Sequence, residues 1–87
     1  MPSSTPTLVE LRQGEQAYLA DINLPEADAR RLMELGFLPG SLVTVARRSP
    51  FGDPRVYRVD GSEVALRRET ASRMTIHSTP TVRQDEP

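Results

Sequence analysis

Arg31-Leu32-Met33-Glu34-Leu35-Gly36-Phe37-Leu38-Pro39-Gly40 is the stretch at which this chain changes character. Residues before it are rich in Ala, Glu and Arg at helical spacing, and residues after it fall mostly into short alternating runs. Gly36 suits the position just past a helix end, because without a Cβ it can take the left-handed conformation that satisfies the last helical carbonyls. Pro39-Gly40 then reads as a turn, with Pro fixing φ at the first corner and Gly allowing positive φ at the second. The stretch therefore ends a helix, turns the chain and starts a sheet.

Upstream, Asn23-Leu24-Pro25-Glu26 opens that helix, since Pro is favoured at a first helical position and an acidic first turn complements the macrodipole. Ala29, Leu32, Met33 and Gly36 recur at spacings of three and four and predict one apolar stripe opposite Asp28, Arg31 and Glu34. So short a helix depends on packing more than on propensity. Further back, Gln16-Ala17-Tyr18-Leu19-Ala20-Asp21-Ile22 predicts a strand in which either alternating set can face inward. Thr7-Leu8-Val9-Glu10-Leu11 predicts a shorter one with Leu8 inward, followed by a turn at Arg12-Gln13-Gly14-Glu15.

Downstream, residues 41–48 carry β-branched Val43, Thr44 and Val45 and predict a strand. Ser49-Pro50-Phe51-Gly52-Asp53-Pro54 is a loop by every local signal, yet it holds a Phe. Residues 55–59 and 62–67 predict two strands joined by Asp60-Gly61, a pair suited to a type I′ turn because both of its central residues need positive φ. Residues 68–72 predict a single helical turn, and residues 73–78 a last strand with Met74 and Ile76 inward. The result is a mainly β fold: a small SH3-like β-barrel of five to six strands, with one α-helix inserted between the second and third strands. Residues 7–78 form the domain; residues 1–6 and 79–87, polar and proline-containing, are expected to be flexible tails that bury too little apolar surface to offset the entropy of ordering.

Composition narrows the function. The hydrophobic share is 37% with no Trp, so a modest aliphatic core is expected. A net charge of -1 supplies no long-range attraction to nucleic acid or anionic lipid, and no nucleic-acid partner is expected. Every basic residue in the count of 11 is Arg. The absence of Cys excludes thiolate catalysis, thiolate metal ligation and disulfides. The N-terminal residues lack the cationic start and apolar run of a signal peptide, and no apolar run is long enough to span a bilayer. A soluble, cytoplasmic chain without membrane insertion is the expectation.

Leu32-x-x-Leu35-Gly36-Phe37-x-Pro39-Gly40, the Gly52-Asp53-Pro54 loop, Val59-x-Gly61-x-x-Val64-Ala65-Leu66-Arg67 and Ala71-x-x-Met74-x-Ile76 together resemble the FeoA family. Order and spacing are family-like from about Leu8 to Ile76; Met74 stands where a branched aliphatic is more usual. The resemblance implies an SH3-like barrel acting as an accessory of the bacterial ferrous iron transporter, a membrane protein whose cytosolic portion is a GTPase. It implies a non-enzymatic interaction module that docks on that cytosolic part and modulates it. A related domain ends iron- and manganese-dependent repressors, so a metal-responsive binding domain is the alternative.

Within that frame Fe2+ is the pathway's cargo and no cofactor is expected. Ferrous iron takes clustered His and carboxylate ligands; this chain has one His, His77, the single candidate ligand, while Asp53, Asp60 and Glu63 are separated by turns. No catalytic residue is indicated, because His77 has no evident Ser or Asp partner and Gly36, Gly40, Gly52 and Gly61 are explained as caps and turns rather than a phosphate loop. Phe51, Arg55, Tyr57 and Leu38 are the candidate partner-binding residues, being the side chains least explained by strand alternation or placed beside the loop. Phe37, directly after the helix-ending Gly, is assigned to the core. Arg47, Arg48, Arg55, Arg58, Arg67 and Arg68 form either a docking surface for an acidic partner or a solvated face paired with Asp53, Asp60, Glu63 and Glu69. Leu32, Leu35, Gly36, Pro39, Gly40 and Gly61 are read as structural.

Overall fold

A computed structural model describes residues 5–77. The expected tails, apart from Thr5 and Pro6, lie outside the described residues. Helix α1, Glu26–Glu34, ends through paired bonds around Gly36. The Gly36 N–H donates to the Met33 carbonyl and the Phe37 N–H to the Leu32 carbonyl, both at 3.0 Å. With Gly36 at φ +112° this is the Schellman arrangement, and its customary apolar contact is present because Leu32 and Phe37 share the core. The next turn closes with Ser41 N–H donating to the Leu38 carbonyl at 2.8 Å, over Pro39 and a Gly40 at φ +94°. A Cβ at Gly36 would sit 3.2 Å from the Asp60 Cβ as well as in a disfavoured φ. Gly36→Ala is therefore expected to lower stability by about 1–3 kcal/mol. Urea denaturation measures it, and an unchanged midpoint would contradict this account.

The turn feeds β2, Leu42–Arg48. Preceding α1 is β1, Gln16–Ile22, and following β2 are β3, Arg55–Val59, and β4, Ser62–Leu66. Asp60 at φ 51° and Gly61 at φ 79° form the expected two-residue turn between β3 and β4. A short helix α2, Arg68–Ala71, then leads to β5, Met74–Ile76. All pairings are antiparallel, in the order β4-β3-β2-β1-β5. The sheet curls so that Leu66 from one edge strand and Met74 and Ile76 from the other join one buried cluster with Leu19, Val43, Val45, Tyr57 and Val59. In β1 the inward set is Ala17 and Leu19, which leaves Tyr18 outside. This is the mainly β, SH3-like architecture expected.

Three details correct the sequence reading. Residues 7–11 are not a strand: Leu8–Glu10 form a 3₁₀ turn, closed by Leu11 N–H donating to the Leu8 carbonyl at 3.1 Å. Leu8 and Leu11 are three apart, and a 3₁₀ turn places both on one side, where both are buried. A strand would have buried Leu8 and turned Leu11 by its spacing of three to the opposite face. As a result there are five strands, and α1 lies between the first and second of them. Met33 is 40% exposed, so the buried stripe of α1 is narrower than predicted and consists of Ala29 and Leu32.

The N-terminal segment closes the barrel nonetheless. Thr7 bridges Thr75, and the Pro6 carbonyl accepts from Ile76 N–H at 3.0 Å, covering the outer edge of β5. The Leu8 carbonyl accepts from the Tyr57 hydroxyl at 3.4 Å, reaching across to β3.

Candidate functional site

The loop of residues 49–54 joins β2 to β3 and is held at its root while its tip is free. Ser49 N–H donates to the Pro54 carbonyl at 3.2 Å, and Gly52 N–H to the Ser49 carbonyl at 2.9 Å. Asp53 Oδ1 accepts from the Arg68 N–H at 2.9 Å, which fastens the loop to the first residue of α2. Phe51, between these anchors, is 93% exposed, the most exposed large apolar side chain of the described residues. Nothing in the fold needs it there, because it packs with none of the core.

Arg55, at the start of β3, is turned inward rather than outward. Its Nη1 donates to the Leu11 carbonyl at 2.7 Å and to the Val9 carbonyl at 3.0 Å. Tyr57 corrects the sequence reading outright: it pairs with Val45 in β2 and Val64 in β4 and is wholly buried. Burial pushes its hydroxyl pKa up from 10.0, the Arg55 guanidinium pulling it part of the way back. Tyr57 therefore belongs to the core and presents no binding surface. Leu38 is 48% exposed but stands before β2, whereas Phe51 follows it, with roughly 20 Å of strand between them. The two are not parts of one surface.

A second exposed group lies on the outer face of β1 and β2. Tyr18 is opposite Leu42 in the β1–β2 ladder, and both are exposed on the outer face, at 54% and 39%. His77, also exposed, donates its N–H to the Tyr18 carbonyl at 3.0 Å and continues that row. Sequence alternation could have found Tyr18 only by first deciding which face of β1 is buried, which its residues leave open. His77 gathers no ligand set: among the described residues no three of His, Asp and Glu come together as a metal site would need.

The arginines divide between the two sequence readings. Arg58 and Arg47 converge on Glu63, at 2.8 and 3.0 Å. The Arg58 hydrogen bond and then the Arg47 charge hold the Glu63 carboxyl below its ordinary 4.5. Arg55 is committed to backbone carbonyls, while Arg48, Arg67 and Arg68 have no carboxylate within ion-pair distance among the described residues. The structure thus resolves the expected cationic patch into one ion-paired group and three free cations. Also among the described residues, no helix is long and apolar enough to cross a membrane.

Comparison with known proteins fits this geometry. Residues 7–77 match the FeoA domain family model. Over 69 residues, 79% of its length, the chain is 35% identical to a Porphyromonas gingivalis protein described as an Fe(2+) transport protein A/Fe(2+) transporter FeoB fusion. It spans only 8% of that protein. The solution structure of FeoA from Chlorobium tepidum is 35% identical and superimposes with a TM-score of 0.78, over 82% of this chain and 68% of that one. A crystal structure of Stenotrophomonas maltophilia FeoA complexed with zinc, described as a prokaryotic SH3 domain protein, is 34% identical with a TM-score of 0.69, over 83% and 89% of the two chains. With a family match across most of its length and relatives above 30% identity, the chain belongs to the FeoA domain family.

Proposed function

We propose that this protein is a non-catalytic accessory that docks on the cytosolic GTPase part of a membrane ferrous iron transporter in the cytoplasm and modulates iron uptake without holding iron itself. The observation that carries this reading is the fusion relative, in which a stretch 35% identical to this domain is one polypeptide with a ferrous iron transporter. Covalent linkage raises the effective concentration of one partner for the other, so a fused pair is a natural form of two domains that otherwise meet in solution. The exposed Phe51 on an anchored loop supplies a rigid aromatic of the kind that dominates small interfaces. The guanidinium groups of Arg48, Arg67 and Arg68, without an ion-pair partner among the described residues, can meet an acidic partner.

Phe51→Ala is expected to weaken binding to the transporter's soluble GTPase domain by about tenfold or more while leaving the fold intact. Isothermal titration reads the affinity and circular dichroism the fold. Unchanged affinity in a folded variant would remove Phe51 from the interface. Tight stoichiometric Fe2+ or Mn2+ binding lost in His77→Ala would instead favour the metal-responsive alternative.

A further inference from the structure

The fold treats its two sheet edges differently. The outer edge of β5 is covered by Pro6 and Thr7. The outer edge of β4 pairs with nothing among the described residues. Which main-chain groups it leaves open follows from the ladder. Gly14 N–H donates to the Val45 carbonyl and Val45 N–H to the Glu15 carbonyl, so the main-chain groups of Val45 point away from β3. Its β3 partner Tyr57 therefore turns its own groups toward Val64 of β4, and alternation sends those of Glu63 and Ala65 outward. The two-residue turn at Asp60-Gly61 gives the same parity, because Val59 and Ser62 beside it exchange both bonds. Glu63 and Ala65 thus present two N–H donors and two carbonyl acceptors at the spacing of an added strand.

The side chain of Glu63 does not block that edge, since Arg47 and Arg58 hold it toward the neighbouring strands. Between the edge and α1 lies a cleft of about 450 Å³. Its apolar lining is supplied by Leu24 and Leu35 on the helix side and by Val64 and Leu66 on the strand side. Arg31 and Arg67 also line it, neither within ion-pair distance of a carboxylate among the described residues, against the single carboxylate of Asp28. Alternate residues of a strand laid on β4 would point into this apolar cleft, and the charge excess at its sides favours carboxylates on the incoming segment.

We propose that the free edge of β4 and the cleft beside α1 form a docking site for an extended peptide segment of a partner protein, alternating aliphatic and acidic residues, which adds as a sixth strand. Main-chain bonds to Glu63 and Ala65 supply affinity, the cleft selects an aliphatic side chain, and Arg67, which has the strand parity of Glu63 and Ala65, selects the acidic neighbours. This site is separate from the Phe51 loop and does not depend on the partner being the transporter.

The test uses the full chain labelled for amide NMR, with acetyl-Glu-Leu-Glu-Val-Glu-Leu-amide as the probe. Saturable shift changes are expected at Glu63, Ala65, Leu24 and Leu35, with Phe51 unaffected. The peptide with Lys in place of each Glu is expected to bind at least about tenfold more weakly. Ala65→Pro deletes an outward N–H while sparing the bonds to β3, and should cost about tenfold or more in affinity. Because that variant could misfold, two backbone-methylated probes provide a check on the unaltered protein. Methylation of the Glu nitrogens or of the aliphatic nitrogens should abolish binding in one pattern and spare it in the other, since only alternate residues face the edge. Absence of saturable change, change confined to the Phe51 loop, equal affinity of the acidic and basic peptides, or equal tolerance of both methylation patterns would overturn the proposal. Concentration-dependent shifts at Glu63 and Ala65 without peptide would also overturn it, by assigning the edge to a second copy of this chain.

Discussion

Phe37→Ala is expected to remove about a third or more of the stability of this domain. Phe37 is wholly buried and sits directly after the helix-ending Gly36, where its N–H is bonded to the Leu32 carbonyl. Its ring thus performs two tasks, filling the barrel interior and fixing the angle at which α1 leaves the sheet. Truncating a buried Phe to Ala costs about 3–5 kcal/mol, the loss of apolar burial adding to that of the cavity left behind. A domain with a modest aliphatic core has a total stability on the order of 5–10 kcal/mol. The variant should show a urea midpoint lower than that of the parent by about a third or more, read by far-ultraviolet circular dichroism. Phe37→Leu should recover most of the loss, because Phe37 belongs to the buried apolar cluster and Leu refills much of its volume. An unfolding free energy for Phe37→Ala within about 1 kcal/mol of the parent's would mean that α1 is held by other contacts.

The turn residues around Phe37 and between β3 and β4 explain why so much of the fold is legible in the sequence. Gly36, Pro39-Gly40 and Asp60-Gly61 act through backbone geometry that only their residue types satisfy easily, and each sits where the sequence places it, with positive φ at Gly36, Gly40, Asp60 and Gly61. Such signals are local and survive without knowledge of the partner strands. Residues 7–11 were not legible, because a 3₁₀ turn that buries Leu8 and Leu11 looks like a strand until β3 and β5 are in place around it. Tyr57 was misread for a related reason. Its neighbours Pro54 and Arg55 mark a loop exit, and only the β2–β3–β4 register shows that it points inward with Val59.

The candidate surface divides in the same manner. Phe51 could be found from sequence, since a Phe between Pro50 and Gly52 has no strand to alternate with, and it is the exposed loop residue expected. The cleft beside β4 could not, because it is formed by residues from α1 and β4 that are far apart in the chain and whose proximity depends on the curl of the sheet. Leu24, Leu35 and Val64 each read as ordinary packing residues on their own elements.

Arg55→Ala is expected to act on stability first and on binding only through it, which separates this residue from Phe51. The guanidinium spans from β3 to the 3₁₀ segment, donating to the Val9 and Leu11 carbonyls. Hydrogen bonds from a charged donor contribute about 1.5–3 kcal/mol each, a range to be discounted because Arg55 is only half-buried. A loss of about 2 kcal/mol is expected in urea denaturation. Amide exchange should accelerate most at Leu11 and across the segment that bridges Tyr57 to Thr75, since Arg55 is one of the few ties holding it to β3. Both bonds come from Nη1 at the far end of the guanidinium, and the shorter Lys side chain does not place its ammonium at that point, so Arg55→Lys should restore only part of the loss. The comparison with Phe51→Ala then becomes decisive for the docking surface. Weakened binding in Arg55→Ala that disappears when the fraction folded is taken into account leaves Phe51 as the contact and Arg55 as its support. Weakened binding with unchanged denaturation and unchanged exchange would place the guanidinium in the interface itself, and would mean that its two carbonyl bonds are given up when the partner arrives.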